Sequence, residues 1–212
     1  MDLSECHTRL QALLGDTGTR YSTALLDESV AWALDTLSAG SPQLKTEAIT
    51  VTSVGREQSL AALPGLLTVL EVIYPYQADM NAPEPLRQWY FYQRDGGAWL
   101  YLGGRLVPAA GDLLRITFTA RHTLQGLDGA LLTTLPTEQE TLLLQGAAGR
   151  AAELRGLHMV EAYGKKPSEP DKLKSWAEAA LAEFRQEVQV LKTSRTLMNV
   201  LNGGWKLDRW DN

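Results

Sequence analysis

The side chains able to do chemistry are few and far apart. His7, His122 and His158 fall on different predicted elements, with no His-x-x-x-His pair and no Cys-x-x-Cys, so a metal site needs unrelated segments to converge. The spacing predicts no metal centre. Cys6, the single cysteine, lies on the apolar face of a short amphipathic segment, where a small buried thiol is expected rather than a nucleophile. His122 ends a predicted strand beside a loop, a place where an imidazole bonds loop carbonyls. The glycine pairs at 96–97, 103–104 and 203–204 lack the strand, lysine and helix start of a phosphate cradle, and read as turns. There is no Gly-x-Ser-x-Gly elbow, and Thr137-x-x-Glu140 has the form of a helix capping box. No catalytic constellation, metal or cofactor is predicted.

Three further groups bear on recognition. Lys165, Lys166, Lys172 and Lys174 are the densest basic cluster, at a turn between two helices; they read as a solvated hairpin tip or as polar contacts to DNA phosphate or an acidic neighbouring protein. Trp89, Tyr90, Phe91, Tyr92, Trp99 and Tyr101 flank an Asp95-Gly96 turn, where an alternating strand must send half its side chains to the core. Finally, Gly203-Gly204 breaks a helix and is followed by Trp205-Lys206-Leu207-Asp-Arg209-Trp210. Chain ends are ordinarily polar, and tryptophan and arginine are the usual anchors of interfaces. This tail either folds back on its own core or docks into a partner.

The elements that must position these groups follow from periodicity. With 212 residues, 44% hydrophobic and 21% charged, the chain has a globular composition and the size of one domain with an appendage. One cysteine excludes a disulfide framework, and a net charge of -5 argues against a general nucleic-acid coat. The start Met-Asp-Leu-Ser-Glu has no basic, apolar leader pattern, and no apolar run approaches a membrane span. Leu3, Cys6, Leu10 and Leu13 mark one helix, and Leu26, Val30, Ala33 and Leu37 a second, with Ser22 as its cap. The period then changes to two, predicting four or five antiparallel strands, with a tight hairpin at Asp95-Gly96. A long helix ending near Tyr163 carries the small-sided run Gly146-Ala-Ala-Gly-Arg-Ala-Ala152, where another backbone can approach; Ala147, Gly149, Ala151 and Ala152 are the expected packing residues. A last helix bears Leu173, Trp176, Phe184 and Val188. The predicted fold is α+β: a bundle of two N-terminal and two long C-terminal helices, with the sheet inserted and a tail at the end. Its predicted parts are residues 1–45, the N-terminal helices; 46–125, the β subdomain; 134–193, the helical hairpin; and 194–212, the tail.

The succession of segments resembles the adaptor, or head-tail connector, proteins of tailed bacteriophages and prophages. It comprises Tyr21-Ser-Thr-Ala-Leu-Leu, Leu63-Pro-Gly-Leu-Leu-Thr-Val, Ile116-Thr-Phe-Thr-Ala-Arg-His122 with Leu124-Gln-Gly-Leu, Thr133-Thr-Leu-Pro136, and the Gly146–Ala152 run, spanning roughly residues 20 to 163. The resemblance implies a structural virion protein, made in the bacterial host cytoplasm and placed in the neck. It implies a ring of identical subunits, commonly twelve, beneath the portal, extending the channel through which double-stranded DNA passes. The expected partners are the chain itself, the portal protein, and a downstream tail or stopper protein, with no membrane. In such rings carboxy-terminal tails commonly grip the portal, which points to Trp205, Lys206, Leu207, Arg209 and Trp210. The alternative of a different class is a monomeric α+β small-ligand or carbohydrate-binding module using the aromatic hairpin.

Overall fold

The computed structural model describes residues 1–79, 84–104, 107–163 and 169–202. The order is α1 (Leu3–Leu13), α2 (Thr23–Gly40), β1 (Gln43–Thr50), β2 (Glu57–Ser59), β3 (Leu66–Ile73), β4 (Trp89–Arg94), β5 (Gly97–Leu102), β6 (Leu113–Ala120), α3 (Glu140–Tyr163) and α4 (Glu169–Asn202). The fold is α+β, and it divides into a helical unit, residues 1–41 with 122–212, and a β unit, residues 42–121.

In the helical unit each early helix has the cap its sequence supplies. Asp2 accepts from the Glu5 amide and starts α1; Ser22 accepts from the Leu25 amide and starts α2. The link between them is tied by Asp16, whose carboxylate accepts from the amides of Thr19, Arg20 and Tyr21 at 3.0 to 3.2 Å. Burial alone would raise the Asp16 carboxyl's affinity for its proton; the ring of amides outweighs it and holds the group below the ordinary value.

The entry to α3 departs from the capping-box expectation. Residues Thr137–Gln139 form a short 3-10 turn with no side-chain cap. Glu140 instead binds the α-ammonium of Met1 at 2.9 Å and Arg9 at 3.1 Å, fixing α1 to the start of α3. A carboxylate given two cations across the fold has little reason to turn back on its own helix.

From there α3 and α4 run antiparallel, since Gly146 faces Phe184 while Gly149 faces Leu181 and Ala180. Cys6, Leu10, Leu26, Val30, Ala33, Leu37, Leu143, Ala147, Ala148, Ala151, Phe184 and Val188 form one core. α4 continues through residues 194–202, the first part of the segment set apart above as a tail.

Among the described residues the β unit has six strands in two antiparallel sheets, ordered β1-β6-β3 and β2-β5-β4. The short strand β2 is the one the pattern did not mark, because three residues cannot display a period. At the β4–β5 hairpin Asp95 and Gly96 both take positive φ, 53° and 73°, as a two-residue turn between right-twisted strands requires. Both sheets contribute to a core of Leu60, Val69, Val72, Leu100, Leu102, Leu114, Ile116 and Phe118.

Candidate functional site

The small-sided stretch of α3 is buried. Ala147, Ala151 and Ala152 are fully enclosed, and a Cβ added to Gly149 would stand 3.0 Å from Leu181 Cγ. A Cβ on Gly146 would meet three ring carbons of Phe184 at 2.7 to 2.8 Å. Gly146 and Gly149 therefore serve close approach of α4 within this chain, while Ala147 and Ala151 belong to the helical core. The aromatic end of the contact is organised further: the rings of Trp32 and Phe184 are 5.9 Å apart, with the Arg150 guanidinium 5.6 Å from the Trp32 ring.

Beside this packed seam, α1, α3 and α4 leave a groove of about 720 Å³. Ala12 and Leu13 of α1, Leu144 and Ala148 of α3, and Trp176 and Ala180 of α4 give it apolar walls; Arg9 and Glu183 add charge. Leu13 is 54% exposed and Trp176 43%, large apolar groups left in solvent. A second apolar feature lies on the same unit. Leu131 and Leu132, between Gly129 and Thr133, are 85% and 72% exposed. Their loop is nevertheless well tied: the Thr123 hydroxyl donates to the Leu132 carbonyl at 2.7 Å, the Thr123 amide to Thr134 Oγ1 at 2.8 Å, and the Thr133 hydroxyl to the Met1 carbonyl at 2.7 Å.

The histidines are scattered, and no group of metal-ligating side chains occurs among the described residues. His7 Nε2 lies 2.8 Å from Asp27 Oδ1, joining α1 to α2. His122 is buried, with Nδ1 3.0 Å from the Thr134 carbonyl and Nε2 2.8 Å from the Ser41 carbonyl, a tie between the two chain segments of the helical unit. Cys6 is fully buried, and that burial pushes its thiol pKa up to about 12, which leaves it inert as a nucleophile.

Of the residues singled out from sequence, Lys172 and Lys174 are exposed on α4, where Lys174 sits 3.8 Å from Glu178 in a solvated pair. Lys165 and Lys166 lie outside the described residues, as do Trp205, Lys206, Leu207, Arg209 and Trp210. The aromatic hairpin is split by strand alternation: Trp89 and Phe91 pack on the β core, whereas Tyr90 pairs with Tyr101 at 6.2 Å and Trp99 lies under the Arg94 guanidinium at 4.5 Å. The Tyr92 hydroxyl donates to Glu57 at 2.8 Å.

Sequence reasoning missed the groove, because α1, which forms one of its walls, is remote in sequence from the α3–α4 pair that forms the others. It also missed the Leu131-Leu132 tip, whose signal was present as two adjacent leucines in a stretch read as loop.

Among the described residues no helix is long and apolar enough to cross a membrane. No family model and no curated protein matches the chain. Among solved structures it is similar to a chain in the neck of an empty gene transfer agent (GTA) particle computed with C6 symmetry, with 16% identity over 85% of this chain and 88% of that one, at a TM-score of 0.34. A chain of the native GTA virion is 16% identical over 84% and 88%, TM-score 0.33. A chain of the native GTA neck computed with C12 symmetry is 17% identical over 84% and 86%, TM-score 0.32, and likenesses this slight carry no argument about function.

Proposed function

We propose that the chain is a structural protein of a tailed-phage-type neck: a head-to-tail adaptor whose copies form a ring of twelve subunits beneath the portal and extend the DNA channel toward a tail or stopper protein. The reading rests on the ordered run of segments from Tyr21 to Ala152 that resembles such adaptors. The structural observation that carries it is the exposed apolar surface of the helical unit, Leu13 and Trp176 along the groove and Leu131 and Leu132 on a tied loop. A folded unit with large apolar groups left in solvent at two separate places is suited to association rather than to life as a free monomer. On this reading Trp205, Lys206, Leu207, Arg209 and Trp210 dock on the portal, while Lys165, Lys166, Lys172 and Lys174 make polar contacts with DNA or a neighbouring protein. Ala147, Gly149, Ala151 and Ala152 hold the wall helices together.

The test is to add purified protein to tailless, portal-bearing capsids and to portal-less capsids, and to sediment both. Attachment that needs the portal supports the adaptor; equal recovery with both, or with neither, overturns it.

One observation favours a second reading, a small-ligand or carbohydrate module. Tyr90 remains 67% exposed beside Tyr101 on the outer face of the hairpin, a surface on which a sugar ring can stack. A monomer in solution with saturable glycan binding, lost in Tyr90→Ala, would favour it over the adaptor.

A further inference from the structure

We propose that the Leu131-Leu132 loop of one copy inserts into the α1–α3–α4 groove of the next, and that this knob-and-groove contact is the repeating joint of the ring. The inference rests on the ring reading above and assigns its contact.

The two features are complementary in chemistry and distinct in position. The knob presents two leucines, 85% and 72% exposed, and the groove offers about 720 Å³ walled by Leu13, Leu144, Ala148 and Trp176. Within one copy the leucines face solvent, so they do not fill their own groove. The knob is preorganised: hydrogen bonds from Thr123 and Thr133 hold its backbone to the residue 122–125 segment and to Met1, so little freedom remains to be lost on docking. The contact is carried by apolar surface: the groove's charged groups, Arg9 and Glu183, oppose each other in sign, and Arg9 is already bridged to Glu140 and Glu5.

Because knob and groove are different surfaces of the same unit, the contact is head-to-tail, and repetition produces a closed ring or a filament rather than a two-fold dimer. Its size sets its behaviour. Two leucines supply a minor part of the roughly 800 Å² per partner that a standard stable interface buries, so an isolated pair of copies is weak. Closure, in which every copy gives one knob and one groove, makes up the difference through effective concentration.

The experiment uses the full chain and its single buried, inert cysteine as a silent background. Leu132→Cys and Leu13→Cys are made as separate proteins, mixed, and treated with a short bis-maleimide cross-linker, which adds one thiol at each end. A covalent dimer in the mixture, absent from either protein alone, is expected; carrying both substitutions on one chain should yield a ladder of higher oligomers. Leu132→Asp should lower self-association, read by analytical ultracentrifugation, at least about tenfold with an unchanged circular dichroism spectrum. If wild-type rings form but the mixture gives no link, or Leu132→Asp associates as wild type does, this contact is wrong and the ring reading survives. A wild-type chain that neither self-associates nor attaches to portals overturns both. Protection of the groove cysteine by a peptide of residues 203–212, with no knob-to-groove link, would assign the groove to the tail and overturn the proposal.

Discussion

The ring of Phe184 occupies the space that a Cβ on Gly146 would need: three of its carbons lie within 2.8 Å of that position, and the ring is fully buried. The seam between α3 and α4 is thus set by the absence of one methyl group.

Gly146→Ala is therefore expected to destabilise the protein even though alanine is the better helix former by about 1 kcal/mol. A buried ring hemmed by Trp32 cannot swing aside, and overpacking of this kind costs roughly 1 to 3 kcal/mol. A lowered urea midpoint is expected; a raised one would show that the seam can spread.

Ala151→Leu tests the same helix one turn further on. Ala151 is fully enclosed in the core shared with α2, and the added carbons should cost on the order of 1 to 3 kcal/mol. Melting and assembly equal to the parent would mean that α3 has room on that side.

The bridge between Met1 and Glu140 predicts a pH window. Hydrogen bonding to the Met1 ammonium lowers the Glu140 pKa from 4.5, overcoming burial, with Arg9 assisting; this stabilisation is complete above the ordinary value and is lost as acid titrates the folded carboxylate. Conversely, the bond to Glu140 raises the Met1 ammonium above 8.0, so its contribution is complete below that pH and fades as alkali removes the proton. Glu140→Gln should accordingly lower the melting temperature most between about pH 5 and 8, with the gap to wild type closing on both sides. A gap independent of pH would remove the bridge from the account.

Truncation after Asn202 is expected to leave a folded body, since the described core of the helical unit is built from residues up to Val188. On the adaptor reading it should abolish co-sedimentation with portal-bearing capsids, because small losses per subunit multiply around a ring. A folded truncation that still attaches would separate Trp205 and Trp210 from docking. Loss of folding would return them to the protein's own core.

Much of the fold was legible because local physics and tertiary need agree. The amphipathic spacing of α1 and α2, the Ser22 cap and the positive-φ turn at Asp95-Gly96 are local properties that the structure keeps. Glu140 was misread for the opposite reason: its i to i+3 spacing from Thr137 is a valid local signal, but Met1 and Arg9, more than 130 residues away, claim the carboxylate. The division of the strands into two sheets was likewise hidden, since β6 lies between β1 and β3, a pairing no neighbouring residues announce. The groove fell in the same blind spot. Periodicity says which face of a helix is apolar, as for Trp176, but not whether a partner element covers it.

The most direct test of the central claim is electron cryo-microscopy of portal-bearing capsids saturated with the purified chain. The account predicts a closed ring of identical copies seated under the portal around an open channel, with the Leu131-Leu132 loop of each copy in the α1–α3–α4 groove of the next. Capsids whose portals stay bare at saturating protein, while the chain remains a folded monomer in solution, would contradict it.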